Sequence, residues 1–166
     1  MNINGRAGIV LPHGVLFRGG AEARIREQVI KNDLIDAVIG LPSKLFYGTG
    51  IPAVILILNK NKSEHKKNKI LIIDAEHDYL EGKKQNSLRQ KDIDKIIKAY
   101  DNYKDIDKYC RVVDIKELQE NEFNLNVKRY IDSSEEEEEI DVKQVYKELA
   151  HLEKEKKVID KKVNEY

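Results

Sequence analysis

Phe46 and Tyr47 stand side by side in a loop rich in proline and glycine, residues 40–52 (GLPSKLFYGTGIP). A ring held between Pro42 and the Gly-Thr-Gly-Ile-Pro turn is placed to stack on a planar ligand, and the same ring can serve core packing instead. His13 follows a strand-like segment, a good position for an acid–base group. No Ser, Cys or Asp stands at motif spacing from it, so capping or packing is its plainer role. Asp74 ends another apolar run, where a carboxylate is either catalytic or simply a polar terminator. His65, His77 and His151 lie in charged surroundings and read as solvated, and no two histidines have the spacing of metal ligands. Residues 40–50 carry neither G-x-G-x-x-G nor a Walker pattern, so the loop does not cradle phosphates in either known way. The basic run 60–69 can touch a DNA backbone electrostatically or serve as a solvated turn.

The elements that would position these groups follow an α/β order. Residues 5–11 read as a buried strand ended by Pro12, and residues 12–20 as a loop into a helix over 21–30, with Ile25, Val29 and Ile30 on one face. Asn32 is a helix stop because it tolerates the left-handed conformation. Residues 34–41 and 53–58 are short, β-branched and apolar, the pattern of strands covered on both faces. After the polar turn 59–69 comes a strand over 70–73. That connection is too polar for a crossover helix, which predicts that the strands 53–58 and 70–73 are antiparallel neighbours. Ser87 with Gln90 forms a possible capping box for a helix whose stripe is Ile93, Ile96, Ile97 and Tyr100. A short strand over 109–113, a cap at Asp114 with Glu117 and an extended, half-buried segment 121–131 complete the first part.

Composition narrows the class. Lys plus Arg and Asp plus Glu both number 30, so no global field draws the chain to nucleic acid or to an anionic membrane. Cys110 is the single cysteine, which excludes an internal disulfide and gives no zinc motif. No apolar run reaches the roughly 20 residues of a membrane helix, and no signal peptide is visible, so a cytoplasmic protein is expected. Residues 1–131 make one domain. Residues 132–140, with five consecutive glutamates, form an acidic linker, and residues 141–166 carry an a/d seam of Val142, Val145, Leu149, Leu152, Ile159, Val163 and Tyr166. That coiled-coil-like helix needs a partner surface or folds back on its own domain.

Taken in order, residues 8–18 (GIVLPHGVLFR), 38–42 (VIGLP), 45–52 (LFYGTGIP), 55–60 (ILILNK) and 123–130 (FNLNVKRY) resemble the C-terminal part of the modification (M) subunit of type I restriction-modification systems. These are adenine-N6 DNA methyltransferases that use S-adenosylmethionine. The resemblance implies the last strands of a Rossmann-like methyltransferase sheet, mixed parallel and antiparallel, with 53–58 between 8–11 and 35–39. It assigns Phe46, with Tyr47 second, to stacking on the flipped target base. The family's catalytic Asn-Pro-Pro-aromatic motif and glycine-rich cofactor loop do not occur in this sequence, so a truncated piece is expected: one that binds no cofactor, has no catalytic residue and is inactive alone.

The resemblance further implies DNA and the specificity (S) and restriction subunits as partners, with the last helix against the S subunit. The unpaired strand 5–11 would leave an exposed edge and favour a homo-oligomer through that edge or the terminal helix. The competing reading is a non-catalytic α/β interaction module that binds a helical protein through its C-terminal helix. A small hydrolase using His13 and Asp74 is a third, weaker reading.

Overall fold

The structure, a computed structural model, describes residue 2 and residues 4–133. The heptad-bearing helix and all of the acidic linker beyond Ser133 lie outside the described residues. The elements are β1 (Arg6–Pro12), α1 (Ala21–Lys31), β2 (Ile35–Gly40), β3 (Ala53–Asn59), β4 (Lys69–Asp74), α2 (Gln90–Asn102), β5 (Cys110–Asp114) and α3 (Ile115–Glu120). Single 3₁₀ turns occur at His13–Leu16, Glu64–Lys66 and Val127–Arg129. The five strands form one sheet in the order β1-β3-β2-β4-β5. β2 and β4 pair in parallel, and the remaining pairs are antiparallel. The placement of β3 between β1 and β2 is the one the family resemblance implied.

Two apolar layers cover the sheet. Ile30 of α1 and Leu118 of α3 join Val38, Val54, Ile70 and Ile72 on one face. Ala99 of α2 and Tyr103, just past its end, meet Ala37, Ile39, Leu71 and Ile73 on the other. β2 is therefore buried along its whole length, as its apolar pattern, interrupted only by Asp36, requires. A bulge between Ile35 and Ala37 shifts its alternation. Asp36, fully buried beside that bulge, accepts from the Tyr100 hydroxyl at 2.6 Å and from Asn59 Nδ2 at 3.2 Å. The Tyr103 hydroxyl donates to the carbonyls of Asp36 and Lys69 at 3.1 and 3.2 Å. Burial together with the neighbouring Asp36 carboxylate pushes the Tyr100 phenol well above its ordinary range.

Several sequence expectations are corrected. β1 is not the buried strand that its apolar run suggested; it is the exposed edge that the family resemblance implied, with Ile9 39% and Val10 54% exposed. β3 and β4 run antiparallel but are not neighbours, because β2 lies between them. The polar connection has only to pass over the start of β2, about 10 Å for two strand spacings. It is tied down there by Lys62, whose ammonium meets Asp33 at 2.6 Å and the Lys69 carbonyl at 2.8 Å. Asn68 N–H also donates to Asp33, at 3.0 Å. α1 does end at Asn32, yet the left-handed residue is the next one, Asp33, at φ 52°.

The cap of α2 is Arg89, not Ser87. Arg89 N–H donates to Asp92 at 2.9 Å and its guanidinium grips the same carboxylate at 2.7 and 2.9 Å. Ser87 is instead committed to a backbone bridge with Leu80. Helix α2 turns Ala99 and, at its end, Tyr103 inward, leaving Ile93 and Ile97 exposed at 36% and 50%. Asp114 caps α3 as expected, accepting from Lys116 N–H at 2.9 Å, while Glu117 leaves that cap for Arg111. Residues 121–131 are irregular with one 3₁₀ turn rather than extended. Their Leu125, Val127, Tyr130 and Ile131 are buried against the α1 face.

Candidate functional site at one end of the sheet

In an α/β sheet, binding groups gather in the loops beyond the carboxyl ends of the parallel strands. Here that end collects the close of β1, the loop after β2, the start of β3 and the close of β4. Backbone bonds join them: His13 N–H to Pro52 O at 3.1 Å, Leu41 N–H to Ala53 O at 3.0 Å and Ala75 N–H to Gly40 O at 3.0 Å. The topology thus brings His13, Phe46, Tyr47 and Asp74 to one edge, although they are far apart in the chain.

The loop 40–52 is anchored at its base and open at its tip. Leu41 is buried and Leu45 packs against the α2 face of the core. Phe46 and Tyr47 then point outward, 45% and 90% exposed, so neither is consumed by core packing. Gly48 at φ 74° turns the chain back, a conformation that favours glycine. Thr49 Oγ1 accepts Ile51 N–H at 3.0 Å and closes the turn. Beside Phe46 lies a cleft of about 220 Å³, lined by Val10, Leu11, Pro12, Thr49, Ile51 and Pro52.

Asp74 is a satisfied anchor. Its Oδ1 accepts Glu76 N–H at 3.1 Å, and its Oδ2 accepts from the Ser133 hydroxyl at 2.7 Å and from Lys128 Nζ at 3.1 Å. Burial alone would raise its pKa. The Ser133, Glu76 and Lys128 contacts outweigh burial and hold the carboxyl below its usual range. Lys128 also meets Glu76 at 2.8 Å, and these carboxylates raise its pKa against the opposing effect of burial. His13 packs edge-on against Phe17 at 5.5 Å. Burial lowers its pKa despite the nearby Glu76 and Asp74 charges, which favours the neutral imidazole. Among the described residues no hydrogen bond joins His13 to Asp74, and the one hydroxyl bonded to Asp74, that of Ser133, donates to the carboxylate with no histidine between them, so the hydrolase reading has no geometry behind it.

The other sequence candidates are dispersed. His65 and His77 are exposed, and Cys110 is buried at the start of β5. The basic run 60–69 sits at the opposite end of the sheet and is largely committed: Lys62 to Asp33, Lys67 to Glu64, and Lys66 over the rings of Tyr100 and Tyr103. Among the described residues, no group of His, Cys, Asp and Glu could hold a metal ion. No helix among the described residues is long and apolar enough to cross a membrane. Sequence reading missed Lys128 and Ser133 as partners of Asp74, because each lies more than 50 residues from it. Distance along the chain left no local signal for either.

S-adenosylmethionine, implied by the resemblance, needs partners for a charged amino-acid end and for ribose hydroxyls. The cleft beside Phe46 offers Thr49 as its one polar side chain. A second cavity, about 210 Å³ beneath α1, has Glu22 and Arg26 among apolar residues. Arg26 is spent on the carbonyls of Val15, Arg18 and Phe123. Neither cavity fits that cofactor, and no step through it belongs to the described residues.

The N-6 DNA methylase family matches residues 1–139. The MjaVIII type I restriction enzyme methylase subunit of Methanocaldococcus jannaschii is 52% identical over 150 residues, which cover 89% of this chain and 26% of that protein. The MpnII methylase subunit of Mycoplasma pneumoniae is 37% identical over 139 residues, 84% of this chain and 25% of that one. The crystal structure of a type I restriction-modification methyltransferase subunit from Streptococcus thermophilus superposes with a TM-score of 0.72 at 44% identity, covering 77% of this chain and 27% of that one. The chain therefore spans about a quarter of the length of the relatives it matches.

Proposed function

Because the chain belongs to the N-6 DNA methylase family, among the type I restriction-modification methylase subunits, we propose that it forms the part of such a subunit that carries the base-stacking loop and the assembly surfaces. The rest of the subunit supplies the Asn-Pro-Pro-aromatic motif and the S-adenosylmethionine loop. The assembled enzyme transfers a methyl group to adenine N6 in DNA, and this chain alone is inactive. Phe46 stacks on the extruded target base, with Tyr47 as the second ring. One observation carries this reading: two adjacent aromatic rings are held in water at the sheet end, beside an apolar cleft, on a loop whose base is locked into the core. Exposing rings on a braced loop costs apolar burial, and a planar ligand restores it.

The side of β1 left unpaired among the described residues supports the view that the remaining sheet of the subunit adds there. Supplied alone, the chain pairs through that edge with a second copy. Residues 132–140 are the acidic linker and residues 141–166 the helix that meets the specificity subunit, in a complex that also includes the restriction subunit and DNA.

The test is reconstitution with the remaining methylase portion and a specificity subunit, using duplex DNA with adenine at the target position for methylation and a second duplex with 2-aminopurine there for flipping. Stacking is worth about 1–3 kcal/mol per base. Phe46→Ala is expected to cut methylation roughly 5- to 150-fold and to lower the fluorescence change on flipping. A loss smaller than twofold overturns the stacking role. A chain ending at Ser134 that still binds the specificity subunit overturns the role of the last helix.

A further inference from the structure

The Phe46 loop is braced by a second loop that neither the sequence reading nor the family assigns. Three successive carbonyls of its ascending limb are taken by residues 85 and 86. Asn86 Nδ2 donates to Ser43 O at 3.0 Å, Asn86 N–H donates to Lys44 O at 2.9 Å, and Gln85 Nε2 donates to Leu45 O. Asn86 is 5% exposed, and its Oδ1 accepts Gly82 N–H at 3.3 Å. Leu80 and Ser87 exchange both backbone hydrogen bonds, at 2.8 and 3.0 Å. Residues 80–87 are thus a closed hairpin clamped to the backbone that leads into Phe46. Gly82 is required in it, because a Cβ there would lie 2.1 Å from Gln85 O.

The hairpin presents Lys83 and Lys84, both exposed, and the segment it clamps presents exposed Lys44, held at φ 55°. None of the three lysines makes an ion pair among the described residues, and the hairpin's own carboxylate is Glu81 alone. The cations at the far end of the sheet differ, being bound to Asp33, Glu64 and aromatic rings. Unpaired cations beside two exposed rings are the ingredients of a nucleic-acid surface: rings take bases and lysines take the backbone. An acidic protein segment would use the lysines and leave the rings without a role.

We propose that the 80–87 hairpin is a nucleic-acid backbone contact, in which Lys83, Lys84 and the neighbouring Lys44 bind phosphodiester groups flanking the base at Phe46. This rests on the stacking role of Phe46, and the test separates the two. The full chain, labelled with ¹⁵N, is titrated at low salt with a single-stranded deoxyoligonucleotide of about 12 nucleotides, within the usual span of such sites. Amides of residues 82–85 and of residues 46–50 are expected to shift together. The Lys83→Ala/Lys84→Ala variant is expected to weaken binding and to flatten the log affinity–log salt slope by about 1.4, at roughly 0.7 per contact on single strands. Shifts at 46–50 with none at 82–85 overturn the hairpin contact and keep stacking. Shifts at 82–85 with none at 46–50 keep the hairpin and overturn stacking. An unchanged salt slope in the double variant overturns the contact even if amides move, and no shift in either segment overturns both.

Discussion

The Lys62–Asp33 pair is where a single charge change should cost most. Lys62 has to cross the start of β2 in the connection between β3 and β4, and its side chain is 2% exposed against 23% for Asp33. The two partners therefore fail differently. In Asp33→Asn, a buried ammonium loses its counter-charge and keeps the Lys69 carbonyl at 2.8 Å. Breaking a buried pair in this way costs about 3–5 kcal/mol. The amide oxygen still accepts one hydrogen bond and Asn tolerates φ 52°, so we place the loss at the low end, about 3 kcal/mol. In Lys62→Met the apolar stem is kept, and Asp33 keeps Asn68 N–H at 3.0 Å and reaches water. That loss is about 1–2 kcal/mol. The double variant should resemble Lys62→Met, because no unpaired ammonium remains. Urea unfolding of the full chain at pH 7, followed by far-UV circular dichroism, gives the order if m is unchanged. Against a total of about 5–15 kcal/mol, the Asp33→Asn loss is readily measured. A cost below 1 kcal/mol for Asp33→Asn, or a larger one for Lys62→Met, refutes the reasoning.

Val10→Lys places a charge on the exposed edge of β1; it should shift the chain toward monomer in a sizing run and leave its unfolding midpoint nearly unchanged. An unaltered oligomer distribution would assign self-association elsewhere. The Asp74 carboxyl is held below its ordinary value of 3.8, so its stabilising effect is fully present above that pH and is lost as pH falls through the lower folded value. Acid titration of Asp74→Asn should therefore show lower stability at pH 7 and a shallower loss below pH 4 than the parent chain, and equal slopes would count against the Ser133–Lys128 anchor.

The strands were legible because burial wrote them plainly: β2 and β3 are apolar runs cut off by Gly and Pro. Their order was legible only through the family resemblance, since periodicity reports faces and never neighbours. The 59–69 connection misled for that reason. Its polarity correctly excluded a helix, but a loop can step over one strand as easily as it can turn beside one. Half of the α2 stripe held, Ile96 and Tyr100 packing against the core, and half misled, Ile93 and Ile97 being exposed while the buried Ala99 is small and Tyr103 lies past the helix end. At the site, Phe46 and Tyr47 were visible as rings in a turn. Their bracing was not, because Asn86 acts through backbone carbonyls, which leave no trace in residue identity.

The strand order also fixes a sequence of events in time. β1 is made before its partner β3, which begins only at Ala53, facing Pro12 in the register. At about 5–20 residues per second, some 2–8 s of synthesis separate the two. Through that interval the nascent chain holds Ile9-Val10-Leu11, with Arg6 as the strand's one charge, without its β3 partner, and β2 must emerge and wait as well. A strand made early and paired late invites capture by a holding chaperone or by another nascent chain.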